Sequence, residues 1–258
     1  MFNPIALVGY KSLTFVQHLG RMAVFSADVG RCIVMPPVRV GAFWRELHKL
    51  GVLSLIIIGV CGVAVGMVVG LQGYHTLSRF GADRSLGALV GLSLIRELGP
   101  VVTALLLTGR AGSAATAEIG TMVATEQLDG LRMQSIDPVH FVIMPKALAM
   151  FAVVPLLTCI FIVCGMLGGY IVGIGFMGGD PGSYMSSLRS SVDFHTDVGG
   201  GLIKSVVFGV LLGLIATYRG YTSKPTSEGV SSATTSTVVI GSVSVLLFDY
   251  IITALWGV

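Results

Sequence analysis

Charged residues are scarce in this sequence: 11% of its 258 residues are Asp, Glu, Lys or Arg, and 53% are hydrophobic. Soluble domains carry about 25% charged residues, so this composition excludes an ordinary soluble fold. The net charge of +3 is too small to indicate a nucleic-acid partner. A chain of this length has room for one membrane-embedded domain and for little else.

Cysteines and catalytic motifs are few as well. The four cysteines include no CxxC pair and indicate neither a metal site nor a redox centre. The sequence has no Walker A loop and no GxSxG nucleophile motif, and its five histidines lack metal-ligand spacing. We therefore expect this chain to bind no metal or cofactor and to contain no catalytic residue.

The first fifty residues lack both a membrane span and the basic start of a cleaved signal peptide, which favours a bacterial protein held in the membrane by its own spans. Their pattern predicts an amphipathic helix lying in the cytoplasmic leaflet, which ends at Pro36–Pro37. Its apolar positions are Phe15, Leu19, Met22 and Val29, and its polar positions are Lys11, Gln17, His18, Arg21 and Asp28. The alternative is a partner-binding helix.

Five stretches are long and apolar enough to cross a bilayer, which takes about 20 helical residues. They are residues 52–71, 86–109, 147–176, 202–218 and 238–256. Lys204 lies near the start of the fourth stretch and is expected to extend to the membrane surface. The sequence thus predicts an all-α integral membrane protein, with an N-terminal interfacial segment at residues 1–50 and a transmembrane domain at residues 51–258.

Lys and Arg residues are shared unevenly between the two sets of loops. Eleven of the sixteen lie in the N-terminal segment and in the segments after spans two and four, and three lie in the other loops. Loops rich in Lys and Arg stay on the cytoplasmic side of the membrane. We therefore expect a cytoplasmic N-terminus and a periplasmic C-terminus.

Glycine recurs at every fourth residue on one face of two spans. The first span has Gly62, Gly66 and Gly70, and the third has Gly165, Gly169 and Gly173. Such stripes let helix backbones approach closely. The sequence leaves open whether they meet within one chain or between two chains.

Span two has two adjacent charges, Arg96 and Glu97, followed by Pro100. A charge at bilayer depth costs roughly 2.5–3.5 kcal/mol, so it normally faces a cavity, a partner or a transport pathway. Pro100 has no N–H, which frees the carbonyl of Arg96 and predicts a helix break. Because the other spans are nearly free of charge, we expect this one to line a pathway. The alternative is an internal Arg–Glu pair that closes the bundle.

The segment after span two predicts a short cytoplasmic helix with carboxylates on one face, ending at Asp137–Pro138. The carboxylates belong to Glu118, Glu126, Asp129 and Asp137. Such a surface suits docking of another protein, and a merely solvated loop fits the composition equally well.

Several strings in this chain resemble those of the MlaE family, the permease subunits of the maintenance-of-lipid-asymmetry ABC transporter. They are LIRELGP (residues 94–100), GRAGS (109–113), AEIG (117–120), EQLDG (126–130), IDP (136–138), GY (220–221) and TT (234–235). The resemblance covers residues 45–257. Since these motifs occur independently and in the same order, we regard it as specific.

This resemblance implies a homodimer in the inner membrane of a Gram-negative bacterium. Each chain would contribute an interfacial N-terminal helix and five spans. The implied partners are two cytoplasmic ABC ATPase subunits, a STAS-domain subunit bound to them, and a periplasmic hexamer of MCE-domain subunits. ATP and Mg²⁺ would bind the ATPase, and phospholipid would be the substrate.

The resemblance also implies residue roles. The cytoplasmic coupling helix would occupy about residues 118–136, with Glu118, Glu126, Gln127, Leu128, Asp129, Gly130 and Asp137 contacting the ATPase. The lipid cavity near the dimer axis would be lined by Val69, Thr76, Phe80, Arg96 and Glu97, with Pro100 as the helix break. The spacing of Glu126 and Gly130 departs from that of other ABC importers, so only the general coupling role is carried over.

Two other classes of function compete with a lipid permease. An ion-coupled secondary transporter of an amphiphile would use Arg96 and Glu97 as a relay, but such folds usually repeat their broken helix in both halves, and no second such motif occurs. A membrane enzyme acting on lipid would need a catalytic constellation, and none is evident.

Overall fold

The computed structural model describes residues 16–17, 20–32 and 39–256, and within these ranges the chain is helical with no β-strand. Phe15, Leu19, Lys11, His18 and Pro36–Pro37 of the predicted amphipathic helix lie outside the described residues. We label the helices α1 to α8. Their bounds are residues 20–32 (α1), Val40–Ser78 (α2), Asp83–Ala124 (α3), Gln127–Met133 (α4), Val139–Phe176 (α5), Pro181–Ser191 (α6), Phe194–Tyr221 (α7) and Ser227–Trp256 (α8).

Five of the described helices, α2, α3, α5, α7 and α8, are long and apolar enough to cross a membrane. The all-α prediction with five spans is therefore confirmed. The spans alternate in direction, so α4 lies at one end of the bundle and α6 at the other. We call these the α4 end and the α6 end. The helices extend beyond the predicted spans because hydropathy detects only the apolar part of each helix.

The centre of the bundle lies between α3, α5 and α7. Leu94, Phe161 and Phe208, one from each helix, are completely buried there. At the α6 end, the short helix α6 begins at Asp180, whose Oδ2 accepts the Ser183 N–H at 2.7 Å. Tyr184 of α6 is buried with its ring against Tyr170 of α5, and this burial raises the pKa of its phenol to about 12.

The two glycine stripes pack against each other within the chain. A Cβ added at Gly66 would lie 1.8 Å from the carbonyl oxygen of Gly165, and one at Gly70 would lie 3.0 Å from Gly169. Helices α2 and α5 thus touch backbone to backbone, which a larger side chain at either position would prevent. The structure resolves what the sequence left open, since both stripes are used inside one subunit.

Helix α1 packs on the α4 end of the bundle. Phe25 and Val29 are buried, and they contact a cluster formed by Ile143, Ala147 and Tyr218. The polar positions Arg21 and Asp28 remain exposed, as the amphipathic pattern predicts. The apolar face of α1 is therefore partly covered by α5 and α7.

Candidate functional site

Helix α3 changes its winding at the predicted charged pair. Residues Leu94–Leu98 form a π-helical turn, and Gly99 and Pro100 begin the next α-helical segment. Since Pro100 has no N–H, the carbonyl of Arg96 lacks its usual intrahelical donor. Lys204 Nζ of α7 donates to that oxygen at 2.9 Å instead. The predicted helix break at Pro100 is therefore wrong, because the helix continues through it by way of the π-helical turn, and Lys204 donates to the carbonyl that the proline leaves without its usual donor.

Lys204 connects three helices through one ammonium group. Besides the Arg96 carbonyl, its Nζ contacts Glu97 Oε1 of α3 at 2.9 Å, and Thr253 Oγ1 of α8 at 2.8 Å. The carboxylate oxygen Oδ1 of Asp249, also on α8, lies 3.4 Å away. The side chain of Lys204 is 8% exposed, so these contacts replace its hydration.

Arg96 pairs with Asp197 and leaves Glu97 to Lys204. Its Nε donates to Asp197 Oδ1 at 2.8 Å, and a second guanidinium nitrogen lies 2.6 Å from the same oxygen. The backbone N–H of Asp193 donates to the other carboxylate oxygen, Oδ2, at 2.8 Å. The alternative of an internal Arg–Glu pair is therefore wrong, because adjacent residues on a helix point in different directions. Both charges instead join α3 to its neighbours.

These five ionisable residues form an ionic network in the half of the bundle nearest α6. The members are Arg96, Glu97, Asp197, Lys204 and Asp249. With all of them ionised, the charges sum to −1. The adjoining cavity has a volume of about 20 Å³, which is room for about one water molecule. One chain therefore does not enclose a lipid here. A cavity large enough for a lipid would need a second protein surface to close it.

The other predicted cavity residues lie apart from the residues that line this small cavity. Val69 of α2 is half-buried and packs on the hydrophobic core. Thr76 is exposed, and its hydroxyl donates to the Gln72 carbonyl at 2.9 Å. Phe80 follows the end of α2 and is 81% exposed. Helix α2 does reach Ser78, as the resemblance implied for this segment.

Sequence reasoning missed four members of the site: Asp197, Lys204, Asp249 and Thr253. Lys204 was expected to extend to the membrane surface, which is wrong, because its ammonium group finds three acceptors inside the bundle. The signal that identified Arg96 and Glu97 could also have identified two of these four residues. Lys204 and Asp249 are charges within apolar spans, and such charges need partners.

At the α4 end, the predicted coupling segment is divided between two helices. Residues up to Ala124 continue α3, and the chain then turns at Glu126, whose φ of 57° is left-handed. Helix α4 is therefore shorter than the predicted helix over about residues 118–136. The expectation of four carboxylates on one helix face is wrong, since only Asp129 lies within α4.

Most of α4 is exposed and held by a few polar contacts. Leu128 is buried beneath the helix, while Gln127 and Asp129 face outwards. Asp129 Oδ1 accepts from Arg132 at 2.6 Å, and the other end of that guanidinium contacts the Tyr221 hydroxyl at 2.5 Å. This contact with Tyr221 raises the pKa of Arg132. Arg132 thereby links α4 to the end of α7.

The two ends of the predicted coupling segment have different surroundings. Glu118, on α3, lies 2.6 Å from Lys49 and 2.9 Å from Lys146, which also pairs with Glu46. This carboxylate is engaged in holding α2, α3 and α5 together. Asp137 Oδ1 accepts the Val139 N–H at 2.9 Å at the start of α5. Gly130 lies on α4 with open space around its α-carbon.

Comparisons with known proteins agree with the motifs. The family model described as Permease MlaE matches residues 43–255. The intermembrane phospholipid transport system permease protein MlaE of Haemophilus influenzae is 48% identical over 257 residues, which is 98% of this chain and 97% of that protein. A probable ABC transporter permease protein of Rickettsia typhi is 38% identical over 255 residues, 99% of this chain and 98% of its own length.

A more distant relative comes from a plant. The chloroplast protein TRIGALACTOSYLDIACYLGLYCEROL 1 of Arabidopsis thaliana is 32% identical over 215 residues, which is 82% of this chain and 61% of that protein. The family match begins in the first turn of α2 and reaches the last turn of α8, so it includes all five spans and the ionic network. This chain belongs to the MlaE permease family.

Proposed function

We propose that this chain is the membrane permease subunit of an ABC transporter that moves phospholipid between the inner membrane and a periplasmic carrier, and so maintains outer-membrane lipid asymmetry. The observation that carries the proposal is the 48% identity, over 98% of the chain, to a permease named for intermembrane phospholipid transport. The buried ionic network is in keeping with it, because a purely anchoring bundle needs no charges at that depth.

The proposed active unit is a homodimer with its lipid cavity between the two chains. In α8, 11% of the most apolar stretch is buried within the chain, and in α2 22%, whereas α3, α5 and α7 each bury 44%. Helices α2 and α8 therefore offer large apolar faces to a second copy or to lipid. Val69, Thr76 and Phe80 of the first span and its extension, with Arg96 and Glu97, are the proposed cavity residues.

The α4 end is the proposed cytoplasmic side, where two ABC ATPase subunits dock and supply the energy from ATP and Mg²⁺. A STAS-domain subunit would bind the ATPase, and a hexamer of MCE-domain subunits would cover the α6 end in the periplasm. Gln127 and Asp129 of α4 are exposed, and a side chain added at Gly130 would meet open space, which suits a coupling surface. Helix α3 continues from the ionic network to Ala124, through a second π-helical turn at Thr108–Gly112, so it connects the α4 end with the charges.

An assay of lipid movement tests the proposal. The chain would be reconstituted in liposomes with its ATPase, and transfer of a labelled phospholipid would be followed with and without ATP. We expect ATP-dependent transfer, and we expect Asp129→Arg to lower both ATPase binding and transfer by about tenfold, because it reverses the charge on the exposed face of α4. Asp28→Arg, at an exposed carboxylate on α1, is the matched control and should leave both unchanged.

The competing function predicts the opposite dependence. Lipid movement by this chain alone, driven by an ion gradient and insensitive to ATP, would establish an ion-coupled transporter and refute the ABC assignment. Such a mechanism would use Arg96 and Glu97 as a relay.

A further inference from the structure

A second polar cavity lies at the α4 end, between the end of α7 and the start of α8. Its volume is about 320 Å³, much larger than the space beside Arg96. Its lining is mostly polar and includes Arg219, Ser223, Lys224, Thr226, Glu228, Ser232 and Ser236. The ionic network does not extend to it, so it is a separate feature of the fold.

Two of the residues that line this cavity each have a side-chain donor with no hydrogen-bond partner in the described part of the chain. They are Nε of Arg219 and the hydroxyl of Ser223, and both atoms are buried. A buried donor without an acceptor is costly, and native structures usually satisfy such groups with protein, water or a ligand. Neither atom is open to the cavity, so a change of side-chain rotamer is needed to bring either donor to an acceptor there.

The charge of the cavity points to an anion. Arg219 and Lys224 contribute two positive charges against one carboxylate, that of Glu228. The first turn of α8 also lines this cavity, and the N-terminus of a long helix favours negative charge. Ser232 and Ser236 add hydroxyl groups one turn apart on the same side of α8. Arg and hydroxyl donors together match the several oxygens of a phosphate group.

An exposed apolar stripe continues from this cavity along α8. Val239, Ile240, Val243 and Leu247 follow Ser236 at spacings of three, four, seven and eleven residues, so they share its face of the helix. Each of them is at least 39% exposed. From Ser236 to Leu247 the stripe is about 16 Å long, close to half of a hydrocarbon core of about 30 Å. Its length thus suits the acyl chains of one leaflet.

We propose that this cavity binds the phosphate group of a phospholipid in the leaflet at the α4 end, with the acyl chains lying along the α8 stripe. The inference rests on the proposed function, since it assigns a loading or release position to the same substrate. Arg219 holds the phosphate, and Lys224 and Ser223 complete its hydrogen bonds.

Photolabelling of the full chain, with its ATPase, in nanodiscs that contain ³²P-labelled phosphatidylglycerol tests this site. A photoreactive benzoylphenylalanine replaces Val239, which lies on the stripe next to the cavity. We expect a ³²P adduct in the wild-type background. We expect Arg219→Gln to lower its yield about tenfold or more, the usual effect of losing a charge-assisted hydrogen bond. Arg31→Gln, an exposed cation on α1, is the matched control and should not lower it.

Two further measurements separate recognition of the phosphate from loss of folding and from binding of the acyl chains alone. Arg219→Lys keeps the charge and should retain part of the labelling, and a melting temperature equal to that of the wild type would show that Arg219→Gln is folded. An undiminished adduct in folded Arg219→Gln would refute the site, because the chains alone would then be recognised. An adduct with the ATPase polypeptide in place of lipid would also refute it.

Competition distinguishes a lipid headgroup from free phosphate. An excess of glycerol 3-phosphate should leave the lipid adduct in place, whereas loss of the adduct would assign the cavity to a soluble phosphate compound and overturn the headgroup proposal. The transport assay is independent of this test. ATP-driven transfer without labelling would refute the phosphate site and support the permease function. Labelling without ATP-driven transfer would support the phosphate site and refute the permease function.

Discussion

At the residue scale, Lys204 is the central residue of the ionic network. Its ammonium group meets a backbone carbonyl, a hydroxyl and two carboxylates, and those groups come from α3 and α8. Desolvating an ammonium group costs several kcal/mol, and only contacts of this number and geometry offset that cost. Pro100 is part of the arrangement, because it is the residue that leaves the Arg96 carbonyl free.

Replacing Lys204 by Met should destabilise the chain by roughly 3 kcal/mol, since it leaves two carboxylates facing one another without a cation. This is the lower end of the range for buried pairs, because the side chain of Glu97 is 41% exposed. Thermal and denaturant unfolding in detergent would measure the loss.

Two further variants test whether the loss of stability comes from the unpaired carboxylates. Adding Glu97→Gln and Asp249→Asn to Lys204→Met should restore part of the stability, because no unpaired charge then remains. Arg189→Met, at an exposed cation of α6, should change stability by less than about 0.5 kcal/mol. Equal losses for Lys204→Met and Arg189→Met would show that the network does not stabilise the bundle.

At the element scale, the bundle depends on the close approach of α2 and α5. Gly66 and Gly165 are in backbone contact, and Gly62 and Gly70 extend the same seam along α2. Between transmembrane helices, close packing of small residues replaces the hydrophobic drive that operates in water. The seam holds α2 beside the core and directs its remaining apolar face outwards.

Two glycines of α2 form a matched pair for testing this seam. Gly66→Ala should cost about 1–3 kcal/mol or more, because its Cβ would lie 1.8 Å from a backbone oxygen of α5 and the helices would have to separate. Gly59→Ala should be neutral, or stabilising by up to about 1 kcal/mol, because its Cβ would meet only Cys164 Sγ, at 3.9 Å. The melting temperatures of the two variants in detergent measure the difference, and similar values would contradict tight packing at Gly66.

At the scale of the whole molecule, the fold separates two polar ends across an apolar middle. Helices α1 and α4 lie at one end and α6 at the other, while α2 and α8 keep long exposed apolar faces between them. The distribution of Lys and Arg predicts that the α4 end is cytoplasmic. This orientation places the proposed ATPase surface and the proposed phosphate cavity on the same side of the membrane.

Cysteine labelling tests that orientation. In a variant without the four native cysteines, Asp180→Cys should react with an impermeant maleimide added to intact spheroplasts, because the start of α6 faces the periplasm in this topology. Asp129→Cys should react only after the membrane is permeabilised. Labelling in the reverse order would overturn the topology, and with it the assignment of α4 as the ATPase surface.

The amino-acid sequence by itself determined the class of fold, the five spans and two of the charges of the ionic network. These are local properties: hydropathy over about 20 residues predicts a span, and a charge or a proline within one is visible without knowledge of its neighbours. The family motifs are local as well. The missing N–H of Pro100 even indicated where a backbone oxygen would need a donor.

Only the tertiary structure decided which groups meet. Lys204 lies 107 residues from Glu97 in the chain, and Asp197 lies 101 residues from Arg96. Hydropathy contains no information on which faces of two helices pack together, so the partners of the charges could not be read from it. The same reason applies to the glycine stripes, which fit either a dimer contact or an internal seam until the packing of α2 on α5 placed them within one chain.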